Sequence, residues 1–296
     1  MLSRRTICLA PLAQAVARAA APGKMQLCMH QTTSVNAGYR KSLEGWARAG
    51  IKYCELTSQP VDAFLKTEDV AAARRVMSDL GLTPVSCGSS VGIWEPSANR
   101  ATALDNFKHR CELYSSLGLD RMVCPCNTTQ KITQDDYKLG IDNMREVGEI
   151  AKPYKMIAMV EFTRASSFIG TLSTSLKMTR EAAHPNVRPM LDCYHFWSGM
   201  GKFEDLDMLK PGELAHVHFN DTPDIPRELL AQQTRVIPGD GVAPLARILR
   251  KLAEKGYDGA LSVELFLPEL QGGDPQDVAT QIRTKCEKVM REAGVL

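Results

Sequence analysis

The sequence has few aromatic residues and almost no excess of charge of either sign. Phe, Trp and Tyr together make up 6% of the 296 residues, and 36 Lys and Arg side chains face 34 Asp and Glu side chains. A formal charge of +2 creates no basic field that would concentrate a phosphodiester backbone, so we expect no nucleic-acid partner. The chain also lacks an uninterrupted apolar run of about 18 residues, and we therefore expect no membrane-spanning helix and no membrane partner.

Zinc-ribbon spacing is absent too, although the chain contains nine cysteines. Eight of them fall within apolar runs of strand-like or helical character: Cys28, Cys54, Cys87, Cys111, Cys124, Cys126, Cys193 and Cys286. Because no metal-ligand spacing links them, we interpret them as reduced, mostly buried thiols of a cytoplasmic protein.

Acidic side chains are missing from the beginning of the chain, where the first one is Glu44. Residues 1–24 contain instead the pair Arg4-Arg5 and many alanines. This composition allows three interpretations: an extension that precedes a true start at Met25, an export signal of the twin-arginine kind, or an organelle transit segment. We expect residues 1–24 to lie outside the fold and assign residues 25–296 to one folded domain.

From residue 25 onward, short apolar runs alternate with amphipathic stretches of helical period, eight times in succession. The predicted strands are 26–31, 52–57, 83–88, 121–126, 156–162, 188–193, 214–219 and 260–266. The predicted helices lie near 39–49, 67–80, 99–117, 134–151, 172–183, 204–209, 242–255 and 275–292. Eight consecutive strand-helix units without a domain linker predict an α/β fold, a single (β/α)₈ TIM barrel.

Four residues whose side chains can bind hard metal ions stand at or near the ends of the last four predicted strands: Glu161, Asp192, His218 and Glu264. The ends of parallel barrel strands meet at one face, so these side chains should converge. A single carboxylate at a strand end is more often a helix cap, and a single inward histidine is more often a core residue, but four in phase favour a site. Three carboxylates near one axis would repel one another without a cation, and this donor set suits Mn²⁺, Mg²⁺ or Co²⁺ better than zinc.

The segments VEF, LDCYH, HVHFND, RVIPGDG and GYDGALSVELF resemble those of the sugar phosphate isomerase/epimerase group. These xylose-isomerase-like TIM barrels include ketose 3-epimerases and the inosose isomerases and dehydratases, and the resemblance covers about residues 25–292. It implies one divalent ion, most commonly Mn²⁺, held by Glu161, Asp192, His218 and Glu264. It also implies that the two glutamates move a proton and that a homodimer is one assembly to expect.

The chemistry of a carbon acid beside a ketone agrees with this resemblance. A metal that binds the carbonyl and hydroxyl oxygens of a carbohydrate stabilises the enediolate that forms when Glu161 or Glu264 removes the proton. Return of the proton to the opposite face gives epimerisation, and return to the neighbouring carbon gives isomerisation. Loss of a leaving group from an inosose or keto-glycoside would make the same site that of a lyase, and the four ligands leave these outcomes open.

Other polar residues have both a functional and a structural interpretation. His195 either touches a substrate oxygen or holds loop backbone, and His216 is expected to orient a ligand or a substrate group. Arg235 either binds substrate oxygens or forms a loop salt bridge. His30 and Glu55, at the ends of the first two strands, either line the opposite wall of the site or are structural.

Two loops are long enough to form walls over the predicted site, 89–98 and 220–241. The second places sixteen residues between His218 and Arg235, more than is usual for ketose epimerases. No cluster of Lys, Arg and Gly marks a phosphate pocket, so an unphosphorylated sugar, inosose or keto-glycoside is at least as good a candidate substrate as a phosphorylated sugar. The rival interpretations are a DNA-repair endonuclease of the same superfamily, which needs additional histidines, and a non-catalytic carbohydrate-binding barrel.

Overall fold

A computed structural model of the protein describes residues 24–296, so nearly all of the predicted extension at residues 1–24 lies outside the described residues. Parallel strand segments form one sheet in the order β6-β5-β4-β3-β2-β1-β9-β8-β7. The segments are β1 Gln26–His30, β2 Tyr53–Thr57, β3 Thr83–Gly88, β4 Arg121–Pro125, β5 Ile157–Glu161, β6 Val187–Pro189, β7 Leu191–Asp192, β8 Val217–His218 and β9 Ala260–Val263. This sheet and its helices confirm the predicted (β/α)₈ barrel.

The sixth predicted strand is divided into β6 and β7 at Met190. The N–H of Met190 still donates to the carbonyl of Val160 on β5 at 3.2 Å, whereas the N–H of Leu191 donates to the carbonyl of His216 at 3.1 Å. The strand therefore changes its hydrogen-bonding partner from one neighbour to the other along its length. Since β6 and β7 are the two ends of the sheet, those ends meet within this one strand.

Helices follow most strands, as predicted. They are α1 Gly38–Arg48, α2 Ser58–Phe64, α3 Val70–Asp79, α4 Arg100–Ser116, α5 Gln134–Ala151, α6 Leu172–Ala182, α7 Cys193–Ser198, α8 Leu245–Glu254, α9 Pro268–Gln271 and α10 Pro275–Ala293. The helix expected near 204–209 is a 3₁₀ helix, Phe203–Met208, and Pro211 disfavours a helical conformation at Lys210, which limits its extension. The start predicted at residue 67 was three residues early, since Asp69 caps α3 by accepting the N–H of Ala72.

Apolar side chains pack on both faces of the sheet. The larger cluster packs the outer faces of the strands against the helices. A separate small cluster of Val123, Met159, Met190 and Ala215 comes from neighbouring strands, as expected for side chains inside the barrel. Met159 and Met190 stand two positions before Glu161 and Asp192, so strand alternation directs all four side chains inward, with the carboxylates nearer the C-terminal ends.

The eight cysteines within residues 24–296 are free thiols and are all buried. Burial raises the pKa of the Cys126 thiol to about 11 and that of Cys54 to about 12, which keeps both protonated near neutral pH. The expectation of buried thiols is confirmed for these residues. In the same part of the chain, none of the helices has the length and apolar character needed to cross a bilayer.

The helical layer closes where α1 packs against the start of α10. A Cβ added at Gly45 would lie 2.6 Å from the Cβ of Pro275 and 2.8 Å from the backbone nitrogen of Gln276. We expect Gly45→Ala to lower the free energy of unfolding by about 1–3 kcal/mol, because the added methyl group overpacks this contact. In an unhindered helix the same substitution would raise the free energy of unfolding by roughly 1 kcal/mol. Urea unfolding measures the change.

The matched control is Gly272→Ala. The nearest atom to a Cβ at Gly272 is 3.4 Å away, and its φ of −95° suits alanine. Equal stability of the two variants would contradict the close approach of α1 and α10.

Candidate metal and substrate site

Four strand ends bring the predicted ligands together. Glu161, Asp192 and His218 are the last residues of β5, β7 and β8, and Glu264 directly follows β9. One ligand atom from each side chain lies within 4.8 Å of the others. The Nδ1 atom of His218 is 3.0 Å from Oε1 of Glu161, 3.6 Å from Oδ2 of Asp192 and 3.5 Å from Oε2 of Glu264. The three carboxylates therefore lie around one nitrogen, Nδ1, of a single imidazole.

Burial and close charges shift the pKa values of these groups in different directions. Burial raises the pKa of Glu161 to about 7, with repulsion from Glu264 and Asp192 adding to the rise and His218 opposing it. Burial would also raise the pKa of Asp192, but Arg235 and His218 hold it well below its usual range. The pKa of Glu264 is lowered against burial by the same two cations. The cluster thus needs positive charge to keep three carboxylates ionised together.

The donor set fits a divalent metal ion. Three carboxylates and one imidazole provide oxygen and nitrogen ligands of the type that divalent cations take in proteins. Asp192 also caps α7, because its Oδ1 accepts the N–H of His195 at 2.7 Å while Oδ2 faces the cluster. Asp192 therefore has both arrangements that the sequence offered as alternatives. Its Oδ1 caps the helix, and its Oδ2 lies among the candidate ligand atoms.

Arg235 lies inside the cluster. Its Nη1 donates to the carboxylate of Glu264, and its Nη2 lies 3.1 Å from Oδ2 of Asp192 and 2.9 Å from Nε2 of His195. Its Nε is buried and has no hydrogen-bond partner among the described residues. The aromatic rings of Tyr194 and Phe266 lie beside the guanidinium, with their centroids 5.3 Å and 5.0 Å from its central carbon Cζ. The ion pair of Arg235 is thus with the candidate ligands, and its predicted contact with substrate stays a prediction.

His195 is held by protein groups on both sides of its ring. Its Nδ1 accepts the backbone N–H of Arg164 at 3.3 Å, and its Nε2 faces Arg235. Burial lowers its pKa to about 4, and the Arg235 charge acts in the same direction. These contacts agree with the loop-holding interpretation of His195, while its contact with a substrate oxygen stays a prediction.

Glu55 on β2 connects the histidines on the other side of the barrel. Its Oε2 lies 2.9 Å from Nε2 of His216, and its Oε1 lies 3.4 Å from Nε2 of His218. His30 lies between the two groups, with its Nε2 3.9 Å from Glu55 and 3.6 Å from Glu264. Burial would raise the pKa of Glu55, but the three histidines hold it well below its usual range. His216 thus contacts Glu55 directly, and its expected role in orienting a ligand or a substrate group stays a prediction.

Asn220 is a buried member of the site that sequence reasoning did not identify. Its Nδ2 donates to Oδ2 of Asp192 at 3.1 Å, and its Oδ1 accepts the N–H of Tyr194 at 2.8 Å. The side chain therefore fixes the oxygen of Asp192 that faces the cluster. Its position directly after the HVHF segment was the available signal.

The remaining histidines lie away from the cluster. His109 is exposed on α4, and Nε2 of His184 contacts Glu149 at 3.0 Å. Neither supplies the additional ligands that a three-metal nuclease site would require.

A cavity of about 370 Å³ opens above the cluster. Glu161, Glu264, Arg235 and His30 line its floor, and residues of both long loops contribute to its walls, including Val91 and Gln232. Arg235 is the only Lys or Arg among the described residues that line it, and this arginine is already paired with carboxylates.

A second cavity, of about 530 Å³, lies beside Asp120 and Asp258 at the N-terminal ends of the strands. Active-site groups of parallel barrels gather at the opposite, C-terminal face. The smaller cavity is therefore the candidate substrate site.

Backbone anchors hold the longer loop against the barrel. The guanidinium of Arg164 donates to the carbonyl oxygens of Arg227 and Leu230, and the hydroxyl of Tyr194 donates to that of Ala231 at 2.7 Å. These contacts fix the segment that carries Gln232 to the cavity.

Asp221 closes the same loop at its base. Its backbone pairs with Val236 in an antiparallel bridge. Its buried carboxylate accepts four backbone N–H groups, those of Thr222, Gly239, Gly241 and Ala243, at 2.8–3.1 Å. The PGDG turn therefore wraps around one carboxylate, and this fixes the chain on both sides of Arg235.

We expect Asp221→Ala to destabilise the protein, because it leaves buried N–H groups without acceptors at a cost of about 1–3 kcal/mol each where water does not replace the carboxylate. Asp221→Asn retains one acceptor oxygen and should lose less. Urea unfolding of the two variants measures the order. Wild-type stability of the alanine variant would show that the carboxylate does not hold the loop.

Comparison with known proteins gives concordant matches. Residues 43–288 match the sequence model of the xylose isomerase-like TIM barrel family. An inosose isomerase of Halalkalibacterium halodurans is 30% identical over 251 residues, which cover 83% of this chain and 89% of that protein. A 3-dehydroshikimate dehydratase of Pseudomonas putida is 24% identical over 90% of this chain and 44% of its own length. The crystal structure of an IOLI protein with a bound zinc atom superposes with a TM-score of 0.85 at 24% identity, covering 91% of this chain and 99% of that chain.

Proposed function

Because the chain belongs to the xylose isomerase-like TIM barrel family, we propose that it is a divalent-metal-dependent isomerase or epimerase of an unphosphorylated, sugar-like ketone. The observation that carries the proposal is the convergence of Glu161, Asp192, His218 and Glu264 beneath a cavity at the C-terminal ends of the strands. The inosose isomerase relative supports the substrate class and the reaction.

The proposed cofactor is one divalent ion held by these four residues. When bound, it would supply positive charge beside the substrate carbonyl and stabilise the enediolate. The zinc atom of the IOLI structure supports a divalent ion. Three oxygen donors to one nitrogen donor favour Mn²⁺, with Mg²⁺ and Co²⁺ as the next candidates.

Glu161 and Glu264 are the proposed acid and base. Both carboxylates line the cavity floor, and they come from non-adjacent strands, β5 and the end of β9. One carboxylate oxygen takes the proton from the carbon beside the carbonyl, and the other glutamate returns a proton. Arg235, whose Nη1 holds the carboxylate of Glu264, also lines the cavity, and its guanidinium is the proposed contact for a substrate oxygen.

A neutral substrate agrees with the charges around the cavity. The positive charge of Arg235 is already balanced by Asp192 and Glu264, so a phosphate group would meet no free guanidinium or ammonium among the described lining residues. Hydroxyl, amide and imidazole groups of the walls can instead bond the hydroxyls of a polyol.

A lyase that dehydrates an inosose, a keto-glycoside or a related cyclic ketone is the second candidate. The dehydratase of Pseudomonas putida supports it. Both reactions begin with the same proton abstraction and differ only in whether a β-hydroxyl leaves before the proton returns.

The test is NMR of inososes, ketoses, 3-keto-glycosides and 3-dehydroshikimate incubated with the protein and Mn²⁺ in D₂O. Deuterium beside the carbonyl together with a new isomer supports the first proposal, and an alkene product supports the second. Neither exchange nor product with any of these compounds would count against both.

Metal removal should abolish turnover, because without a divalent ion the enediolate would have no positive charge at its oxygens. We expect dialysis against a chelator to eliminate activity and Mn²⁺ to restore it. The measurement is the rate of isomer formation before and after addition of Mn²⁺. Full activity of verified metal-free protein would contradict the mechanism.

Glu161→Gln and Glu264→Gln should each slow exchange of the substrate α-hydrogen with D₂O, by about 10²–10⁴-fold or more, because glutamine cannot accept the proton. Deuterium incorporation followed by NMR measures the rate. The matched control is Glu213→Gln, which removes a carboxylate paired with Arg180 before β8. Wild-type exchange in both site variants would reject their roles, and ligand binding without any exchange in the wild type would indicate a binding protein.

A further inference from the structure

We propose that Glu55 is a positioning residue that fixes the ring of His218 so that Nδ1 binds the divalent ion. The inference rests on the proposed function, since it concerns how the same site holds its ion. Glu55 comes from β2, outside the four strands that carry the candidate ligands.

Glu55 and the ligand cluster contact opposite nitrogens of the same ring. The Nδ1 atom of His218 faces the carboxylates of Glu161, Asp192 and Glu264, whereas its Nε2 faces Glu55 at 3.4 Å. A carboxylate only accepts hydrogen bonds, so a ring that donates to carboxylates on both sides carries hydrogen on both nitrogens while no ion is bound. A ring that gives the lone pair of Nδ1 to an ion keeps its hydrogen on Nε2, where Glu55 accepts it.

The position of Glu55 is itself fixed on several sides. The side chain is fully buried, and β2 pairs with β1 so that Glu55 stands beside His30. Nε2 of His216 lies 2.9 Å from its Oε2, and Nε2 of His218 lies 3.4 Å from each of the two carboxylate oxygens. The two histidines of the HVHF segment therefore share one carboxylate.

Glu55 and His216 are at hydrogen-bonding distance, with Oε2 and Nε2 2.9 Å apart, although these two residues and His218 also form a second group that could hold an ion. A hydrogen bond accounts for this distance. Carboxylates that accept the free N–H of a metal-bound histidine raise its basicity and hold its ring, and their loss commonly weakens metal binding about 10–100-fold.

The first test uses the wild-type protein and needs no variant to fold. Protein with ¹⁵N-labelled histidine is loaded with Zn²⁺, and long-range ¹H–¹⁵N correlation spectra determine which nitrogen of His218 carries hydrogen. We expect hydrogen on Nε2 and metal on Nδ1. The reverse arrangement would overturn the inference.

The second test measures the affinity for Zn²⁺ and Mn²⁺ by competition with a chromophoric chelator. Glu55→Gln should bind about 10–100-fold more weakly than the wild type, and Glu55→Asp, which keeps the charge on a shorter side chain, should lie between them. Glu213→Gln, the same chemical change away from the site, should retain wild-type affinity.

The outcomes separate this inference from the proposed function. If the wild type binds and Glu55→Gln binds equally well, the positioning role is wrong while the metal site stands. If the wild type binds neither ion, the proposed function and this inference both fall. An equal loss of affinity in Glu55→Gln and Glu213→Gln would assign the effect to general destabilisation and overturn the specific role.

Discussion

The structure depends on the convergence of three carboxylates at one end of a closed parallel sheet. Closure brings the ends of β5, β7, β8 and β9 to the same face, where water is largely excluded and like charges repel strongly. In the described residues, His218 and Arg235 offset that repulsion from two sides. The fold thus concentrates negative charge in a position where a divalent ion would add further positive charge.

The sequence predicted the barrel and the convergence of its four candidate ligands because both follow from local patterns repeated along the chain. Strand alternation and the position of a polar residue at each strand end need no knowledge of distant contacts. Glu55 kept two interpretations, a wall of the site or a structural role, because its contacts with His216 and His218, more than 160 residues away, are not visible in the sequence. Asn220 had no repeating pattern around it, and its partners became evident only with the three-dimensional arrangement.

The elements that sequence reasoning missed are short. The helices α2, α7 and α9 contain seven, six and four residues, too few to display a clear helical period, and α7 begins at a cap that Asp192 provides. The division of the sixth strand at Met190 has a different origin. It arises where the two ends of the sheet meet, which is a property of the closed barrel and not of the segment's own residues.

The long loop, residues 220–241, is attached to the barrel through its backbone. Arg164 and Tyr194 donate hydrogen bonds to backbone carbonyl oxygens of the loop. Every amino acid has this carbonyl group, whatever its side chain. Replacement of an exposed side chain such as that of Gln232 therefore leaves these hydrogen bonds intact while it changes the surface that the loop contributes to the cavity. Evolution can therefore change the side chains of this segment without disturbing the hydrogen bonds that hold it or the residues of the cluster below it.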